Sequence, residues 1–172
     1  MKYQYYRKFI IGYKNERCDV TPIFENPKVF RNLITDLIKP FKKEKIDKIV
    51  CLDALGFILG SAIAYKLNKR LVVIRKKGKI PGKNKQSVPF KDYTKKTKGF
   101  EIKKSSIRKG DKILIVDEWI ETGSQMKASI KLIEKQNGKI IGISTLNADM
   151  NKGTKILFDK YNLKPIRIGG LK

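Results

Sequence analysis

Hydrophobic and polar residues along the chain form blocks that predict strands and helices in turn. Short apolar runs indicate buried strands, and apolar residues spaced three and four apart indicate helices. Strands are expected at 46–53, 71–75, 100–103, 112–118, 139–147 and 164–168, and helices at 26–40, 56–67, 124–136 and 154–161, with Gly138 as a helix stop. This alternation predicts an α/β fold with one domain over 1–172, a twisted parallel sheet flanked by helices.

One long basic stretch interrupts the alternation. Residues 76–99 are rich in lysine and poor in apolar side chains, and they contain glycines and prolines that oppose regular structure. A loop of this length inside a compact domain is usually functional or mobile. The sequence therefore predicts a mobile basic loop at 76–99.

Composition limits the chemistry that this chain can perform. Hydrophobic residues make up 41% and charged residues 33%, which is typical of a globular protein. No apolar run approaches the roughly 18 residues of a spanning helix, and the N-terminus lacks a signal peptide pattern, so we expect a cytoplasmic protein without membrane association. The absence of histidine excludes His-based acid–base catalysis and His-ligated metals.

The two cysteines carry little chemistry. Cys18 and Cys51 are far apart without CxxC spacing, so neither a zinc site nor a disulfide framework is indicated. Cys51 lies within the apolar run IVCLD, where a small buried hydrophobic residue is the better interpretation.

Positive charge is concentrated in one stretch of the chain. The formal net charge is +24, and residues 66–112 contain 18 lysines and arginines against three acids. Such a field would concentrate a polyphosphate ligand or a nucleic acid. A lysine-rich composition with solvated surface side chains explains the same charge, so a nucleic-acid partner stays an open alternative.

The segment ILIVDEWIETGSQ places three acids in this basic chain, between a predicted strand and a predicted helix. Ligands of parallel sheets bind beyond the carboxyl ends of the strands, and the amides and dipole at a helix start favour a phosphate. Asp117 and Glu118 could accept from sugar hydroxyls or from a water of bound Mg²⁺. An acidic capping region would show the same pattern. The ligand-binding interpretation is a ribose 5-phosphate site, with a phosphate cradle formed by Glu121, Thr122, Gly123, Ser124 and Gln125.

These residues resemble a known family. VDEWIETGSQ is similar to the signature with which type I phosphoribosyltransferases bind 5-phosphoribosyl 1-pyrophosphate (PRPP): two acids, two or three apolar residues, then Ala-Thr-Gly-Gly-Thr. Residues 18–34, 46–82 and 100–118 are similar to adenine phosphoribosyltransferases in particular. The resemblance implies a Rossmann-like parallel sheet, a small N-terminal hood at 1–25, a homodimer and Mg²⁺. It also implies transfer of the phosphoribosyl group from PRPP to a purine base in nucleotide salvage, with loss of pyrophosphate.

The resemblance assigns roles by position. Asp117 and Glu118 would bind the ribose hydroxyls of PRPP, and residues 121–125 would hold its 5-phosphate. Mg²⁺ would arrive with PRPP, without a firm protein ligand. Pyrophosphate would lie against Ala54, Leu55, Gly56, Arg75, Lys76 and Lys79, and the base against Arg17, Cys18, Val73 and Trp119.

Several positions depart from the family pattern. Leu55 stands where an arginine is expected, Glu118 where the family has Asp, and Glu121 where it has a small residue. Thr94 aligns with the catalytic Glu of the mobile loop. In the hood, Glu16, Arg17 and Cys18 fall where apolar, aromatic and Arg residues are expected.

These departures leave alternatives open. A lysine of the basic loop could replace the missing arginine, because a point charge also neutralises pyrophosphate; the candidates are Lys83, Lys85, Lys91 and Lys95. A second possibility is a catalytically weakened regulator that binds PRPP or a nucleotide. A third is an RNA-binding module in which N-terminal tyrosines stack on bases. The simpler interpretation is that these tyrosines pack at a dimer edge or on the core. The residues concerned are Tyr3, Tyr5, Tyr6 and Arg7.

Overall fold

The computed structural model describes residues 3–12, 18–91 and 97–169. Within them the strands are β1 (Lys48–Leu52), β2 (Arg70–Lys76), β3 (Lys85–Lys91), β4 (Thr97–Lys103), β5 (Lys112–Ile120), β6 (Lys139–Ala148) and β7 (Leu163–Ile168). The helices are α1 (Tyr3–Arg7), α2 (Thr21–Glu25), α3 (Pro27–Ile38), α4 (Gly56–Leu67), α5 (Ser124–Glu134) and α6 (Lys155–Lys160), and a 3₁₀ turn at Lys39–Phe41 follows α3.

All the strands belong to one sheet, in the order β3-β4-β2-β1-β5-β6-β7. β2, β1, β5, β6 and β7 run parallel, and β3 and β4 are antiparallel to their neighbours. Helices cover both faces through two apolar clusters, one with α5 and one with α3 and α4. The predicted α/β fold with a parallel core is confirmed.

The predicted loop at 76–99 is wrong over much of its length. β3 and the start of β4 form a hairpin there, in which Pro89 lies opposite Gly99. Proline is tolerated because β3 is the outermost strand. Val88 is buried, and the Phe90 ring centroid lies 4.7 Å from that of Phe100. These contacts outweigh the basic composition that predicted a loop.

Local signals set the helix starts and ends. Asn26 caps α3 as predicted, because its Oδ1 accepts from the amides of Lys28 and Val29 at 3.1 Å each. α5 ends at Glu134, two residues before the predicted end, and Asn137 rather than Gly138 takes the left-handed conformation, with φ 59°. Gly138 is needed for packing, since a Cβ there would lie 2.7 Å from Ile113.

The N-terminal tyrosines pack against the fold. Tyr6 is fully buried, and its hydroxyl donates to Asp36 Oδ2 at 2.6 Å; burial and this hydrogen bond raise the pKa of Tyr6. Tyr5 packs edge-on against Tyr6 at 5.2 Å, and Arg167 lies 4.8 Å above the Tyr3 ring. The packing interpretation is therefore confirmed, and Tyr6 is not exposed for base stacking.

Cys51 is a buried core residue, as predicted. It is 0% exposed, and burial raises the pKa of its thiol to about 12. α4 packs directly over it, because Gly60 has no side chain that would collide with Cys51. Within residues 3–12, 18–91 and 97–169, none of the helices has the length and apolar composition of a membrane-spanning segment.

Candidate active site

Three strand ends meet at one edge of the sheet. β1 lies between β2 and β5, with Cys51 opposite both Val73 and Val116. The loop after β1, the turn after β2 and the segment after β5 therefore emerge side by side, as the parallel sheet predicted. The Asp53–Ala54 peptide bond in the first of these loops is cis.

The two acids of β5 lie where the alternation of side chains between the two faces of the sheet is interrupted. Val116 and Trp119 pack on the same apolar cluster although they are three residues apart. In a regular strand, side chains an odd number of residues apart face opposite sides. Asp117 and Glu118, which lie between them, therefore occupy the point where the alternation breaks.

Asp117 is held close to the start of α4. It is 7% exposed, and its Oδ1 accepts from the Glu118 amide at 3.0 Å. A Cβ at Gly56 would lie 2.9 Å from this same oxygen. Glycine at 56 therefore lets the loop after β1 lie directly against the acid, which brings the predicted ribose and pyrophosphate residues together.

The segment predicted as a phosphate cradle is a glycine-led helix start. Gly123 has φ 75° and directly precedes α5, so the first amides of the helix face the edge of the sheet. The Thr122 hydroxyl donates to Ser124 Oγ at 3.2 Å, and the Ser124 amide donates to Thr122 Oγ1 at 3.3 Å. Glu121 is exposed, so its charge is solvated. Gln125 is half-buried in the first turn.

A second turn supports this cradle, and sequence reasoning did not find it. Asn151 Nδ2 donates to the Glu121 carbonyl at 2.7 Å, and Asn151 Oδ1 accepts from the Gly153 amide at 2.8 Å. A Cβ at Gly123 would lie 2.9 Å from the Gly153 carbonyl oxygen. The polar run NADMNKGT was the available signal, because such clusters form turns with side chain to backbone hydrogen bonds.

The basic turn after β2 lies beside the loop after β1. Arg75 Nε and Lys76 Nζ lie 3.7 and 3.8 Å from the Asp53 carboxylate. Arg75 Nε is buried and has no acceptor within hydrogen-bonding distance, while Arg75 Nη1 donates to the Lys79 carbonyl at 2.8 Å. Lys79 itself is exposed. Two cations therefore lie beside one acid, Asp53, at this edge of the sheet.

Leu55 does not contribute to this charge. It is half-buried and packs on the cluster with α3 and α4, while Ala54 beside it is exposed. Of the lysines proposed to replace the missing arginine, Lys85 is occupied elsewhere, since its Nζ donates to the Ile80 carbonyl at 2.6 Å. Lys83 and Lys91 are exposed. Lys95 and Thr94 lie outside the described residues.

The residues predicted for the base are only partly brought together. Cys18 and Trp119 pack on the same cluster, and burial raises the pKa of Cys18 despite the nearby Arg7 and Arg167. Val73 is level with Val116, about 10 Å along the strand direction from Trp119, and it is 37% exposed. Arg17 and Glu16 lie outside the described residues.

Asn147 was missed by sequence reasoning. It lies on β6, opposite Trp119 on one side and Arg167 on the other. The residue is fully buried, and its Oδ1 has no hydrogen-bond donor while its Nδ2 donates to Asp149 at 3.1 Å. An unsatisfied acceptor of this kind is rare in a folded protein, and this one lies on the strand next to Trp119, one of the residues predicted for the base.

The sheet carries paired acids at one strand end, a glycine-led helix start and nearby cations. This arrangement is the one expected of a protein that binds a phosphorylated sugar and a second phosphate group. Comparison with known families agrees with that class. Residues 19–170 match the phosphoribosyl transferase domain. The chain belongs to this family, and the predicted phosphoribosyltransferase is confirmed.

Individual relatives support the same assignment. The adenine phosphoribosyltransferase of Roseobacter denitrificans is 42% identical over 144 residues, 82% of this chain and 81% of that protein. The crystal structure of the Rhodothermus marinus adenine phosphoribosyltransferase has a TM-score of 0.89, 28% identity, and coverage of 96% of this chain and 97% of that one. The Saccharomyces cerevisiae enzyme, crystallised with adenine and an imino-altritol bisphosphate, has a TM-score of 0.84, 29% identity, and coverage of 96% and 98%.

Proposed function

We propose that this protein transfers the 5-phosphoribosyl group from PRPP to adenine or a closely related purine, releasing pyrophosphate. The observation that carries the proposal is the position of Asp117 against Gly56, at the edge where the ribose and pyrophosphate residues meet. Relatives that cover most of the chain are named as adenine phosphoribosyltransferases.

Each part of the cleft has a task in this reaction. Asp117 and Glu118 hold the ribose hydroxyls, and the amides at the start of α5 hold the 5-phosphate. As the bond between the anomeric carbon and pyrophosphate breaks, positive charge develops on the carbon and the electron pair leaves with pyrophosphate. Fixed cations near the leaving group stabilise the transition state because they offset this growing negative charge. Arg75 and Lys76 are the cations best placed for this. They lie 3.7 and 3.8 Å from Asp53, which begins the loop after β1 where pyrophosphate is predicted to bind.

Mg²⁺ would fit this site as a partner of the ligand. The described residues contain no group of three or more acids or cysteines that could hold a metal. Mg²⁺ in phosphate-binding sites commonly uses one or two carboxylates together with the phosphates and water, and Asp117 with Glu118 would suffice. When bound, the ion would offset negative charge on pyrophosphate.

Base identity is tested by pyrophosphate release from PRPP with a panel of purines, pyrimidines and other heterocycles. We expect adenine to be the fastest substrate, and hypoxanthine and guanine to be at least about tenfold slower, the cost of about one mismatched hydrogen bond. Turnover of a pyrimidine alone would overturn the purine assignment. PRPP binding without turnover of any base would instead support the regulator alternative.

We also propose a homodimer formed through α4 and β2. Tyr65 is 92% exposed and Ile58 40% exposed on α4, and they are seven residues apart, on the same helix face. Leu71 and Val73 are exposed on β2, and Leu71 lies beside Gly60 of α4. Among the described residues, only the last two positions of β2 pair with β4. This exposed apolar surface would be covered by a second copy.

Replacing Tyr65 and Leu71 together with Asp is expected to give a monomer, because two charges would be buried at the contact. Sedimentation velocity measures the change. Ile156→Asp is the matched control, since Ile156 is 46% exposed on α6, outside this surface. A wild-type protein that sediments as a monomer at all salt concentrations would contradict the dimer.

A nucleic-acid partner and a cytoplasmic location stay predictions from the sequence. RNA or DNA retention that survives saturating PRPP and weakens steeply with salt would support the first.

A further inference from the structure

Glu101 is a buried carboxylate that none of the assigned roles uses. It is 1% exposed in the middle of β4. Its neighbours Phe100 and Ile102 enter the apolar cluster that contains residues of α5. Because side chains alternate along a strand, Glu101 faces the other way, toward the turn that follows β2.

Glu101 holds that turn, residues 76–80, through a hydrogen bond from the backbone of the turn and an ion pair with Lys85. These two contacts together form the Glu101 clasp. Its Oε1 accepts from the Ile80 amide, and Lys85 Nζ lies 3.6 Å from its Oε2. Lys85 also donates to the Ile80 carbonyl at 2.6 Å, which closes the contact on both sides of the peptide. Burial alone would raise the pKa of Glu101, but hydrogen bonds from the Ile80 and Gly78 amides and the Lys85 charge hold that pKa below its ordinary value.

The turn held by Glu101 lies within a strongly charged segment. Residues 75–85 contain six lysines and arginines and no acid. Like charges close together repel each other, so these side chains favour a splayed segment. Within the turn, Gly78 adopts φ 89°, and the Lys79 amide donates to the Lys76 carbonyl at 3.1 Å. Glu101 supplies a fixed negative charge from a different strand.

The same strand also anchors the opposite end of the cleft. Phe100 and Ile102 share their apolar cluster with Met126 and Ala128 of α5, and α5 begins at the phosphate cradle. β4 is therefore packed against the helix that presents one phosphate site, and its Glu101 holds the turn that presents the other. The distance between the two sites is set partly by this strand.

We propose that Glu101 is a positioning residue for the leaving group: it holds the basic turn at 76–80 in the conformation that binds pyrophosphate. The inference rests on the proposed function, since it assumes that this turn meets the pyrophosphate of PRPP. Glu101 acts through the turn and does not contact the ligand.

Glu101→Gln tests this role with little change of shape. The amide oxygen can still accept from Ile80, but it no longer attracts Lys85 or offsets the charge of the turn. We expect the KM for PRPP, and for pyrophosphate in the reverse reaction, to rise about tenfold, the size of one charge-assisted hydrogen bond. The KM for the base should change by less than about twofold. Amide hydrogen exchange at 76–82 should become faster, with or without PRPP.

Two further variants make the test specific. Glu44→Gln removes one acid from an exposed loop position and should leave both KM values unchanged. Lys85→Met breaks the same clasp from the other side, so the double variant with Glu101→Gln should be no worse than the poorer single variant.

The outcomes distinguish a failure of the proposed function from a failure of the positioning role of Glu101. If the wild-type protein does not bind PRPP, the proposed function is overturned. If wild-type binds PRPP but Glu101→Gln keeps its KM for PRPP, or only its melting temperature falls, the positioning role is overturned and the proposed function stands. If Glu101→Gln does not fold, an unchanged KM for PRPP in Lys85→Met overturns the role equally.

Discussion

Asp117→Asn combined with Glu118→Gln is expected to lower kcat/KM for PRPP by about a thousandfold. Both substitutions keep the shape of the side chain and remove its negative charge. A hydrogen bond to a charged group contributes about 1.5–3 kcal/mol, and about 1.4 kcal/mol corresponds to a factor of ten. Two such bonds to the ribose hydroxyls therefore account for the expected loss.

The loss should be divided unequally between the two acids. Asp117 is buried against Gly56 and accepts from the Glu118 amide, whereas Glu118 is half-buried. The geometry of Asp117 is fixed before the ligand arrives, so its single variant should be the more damaging one.

The measurement is steady-state turnover together with the thermal shift caused by PRPP and Mg²⁺. Asp159→Asn, at an exposed position of α6, is the control and should behave as wild type. A double variant that is stabilised by PRPP as strongly as wild type would refute the ribose assignment.

The sequence predicted the parallel core because that core follows from local patterns. Continuous apolar runs such as 113–116 mark strands covered on both faces, and Asn26 and Pro27 mark a helix start with local chemistry alone. The strand ends then determine the edge at which a ligand binds, so the placement of Asp117 beside the loop after β1 required only the order of the strands.

The remaining elements depend on contacts between distant residues. β3 is poor in apolar residues, and it becomes a strand because Val88 and Phe90 find partners on β4 and in the core. Tyr6 is buried through Asp36, thirty positions away in the sequence. No periodicity within a short window contains such information, which explains why the hairpin and α1 were missed.

The candidate site also combines local motifs with contacts between distant residues. The predicted cradle at 121–125 is a local motif, so it could be proposed from its residues alone. The Asn151 turn beneath it, the Glu101 clasp and the unsatisfied Asn147 oxygen each depend on a different strand or loop. Glu121, which stands where the family has a small residue, is exposed and its side chain is solvated. Its carbonyl accepts from Asn151, so its backbone is tied to the second turn.

Gly123→Ala is expected to raise the KM for PRPP by about a hundredfold. Gly123 has φ 75°, which costs a residue with a Cβ about 1–2 kcal/mol. The added Cβ would also lie 2.9 Å from the Gly153 carbonyl oxygen and 3.3 Å from Thr154 Cγ2. The cradle and the Asn151 turn would have to separate, and the amides that hold the 5-phosphate would move with them.

Gly110→Ala is the matched control, because Gly110 has φ 85° and a Cβ there would meet no atom within 4 Å. It should lose a similar conformational free energy in thermal unfolding and keep the wild-type KM for PRPP. The difference in KM for PRPP between the two variants separates the effect of the contact with Gly153 from the effect of backbone strain. Equal KM values in both variants would mean that this glycine serves only the conformation of the turn and that the Asn151 turn does not support phosphate binding.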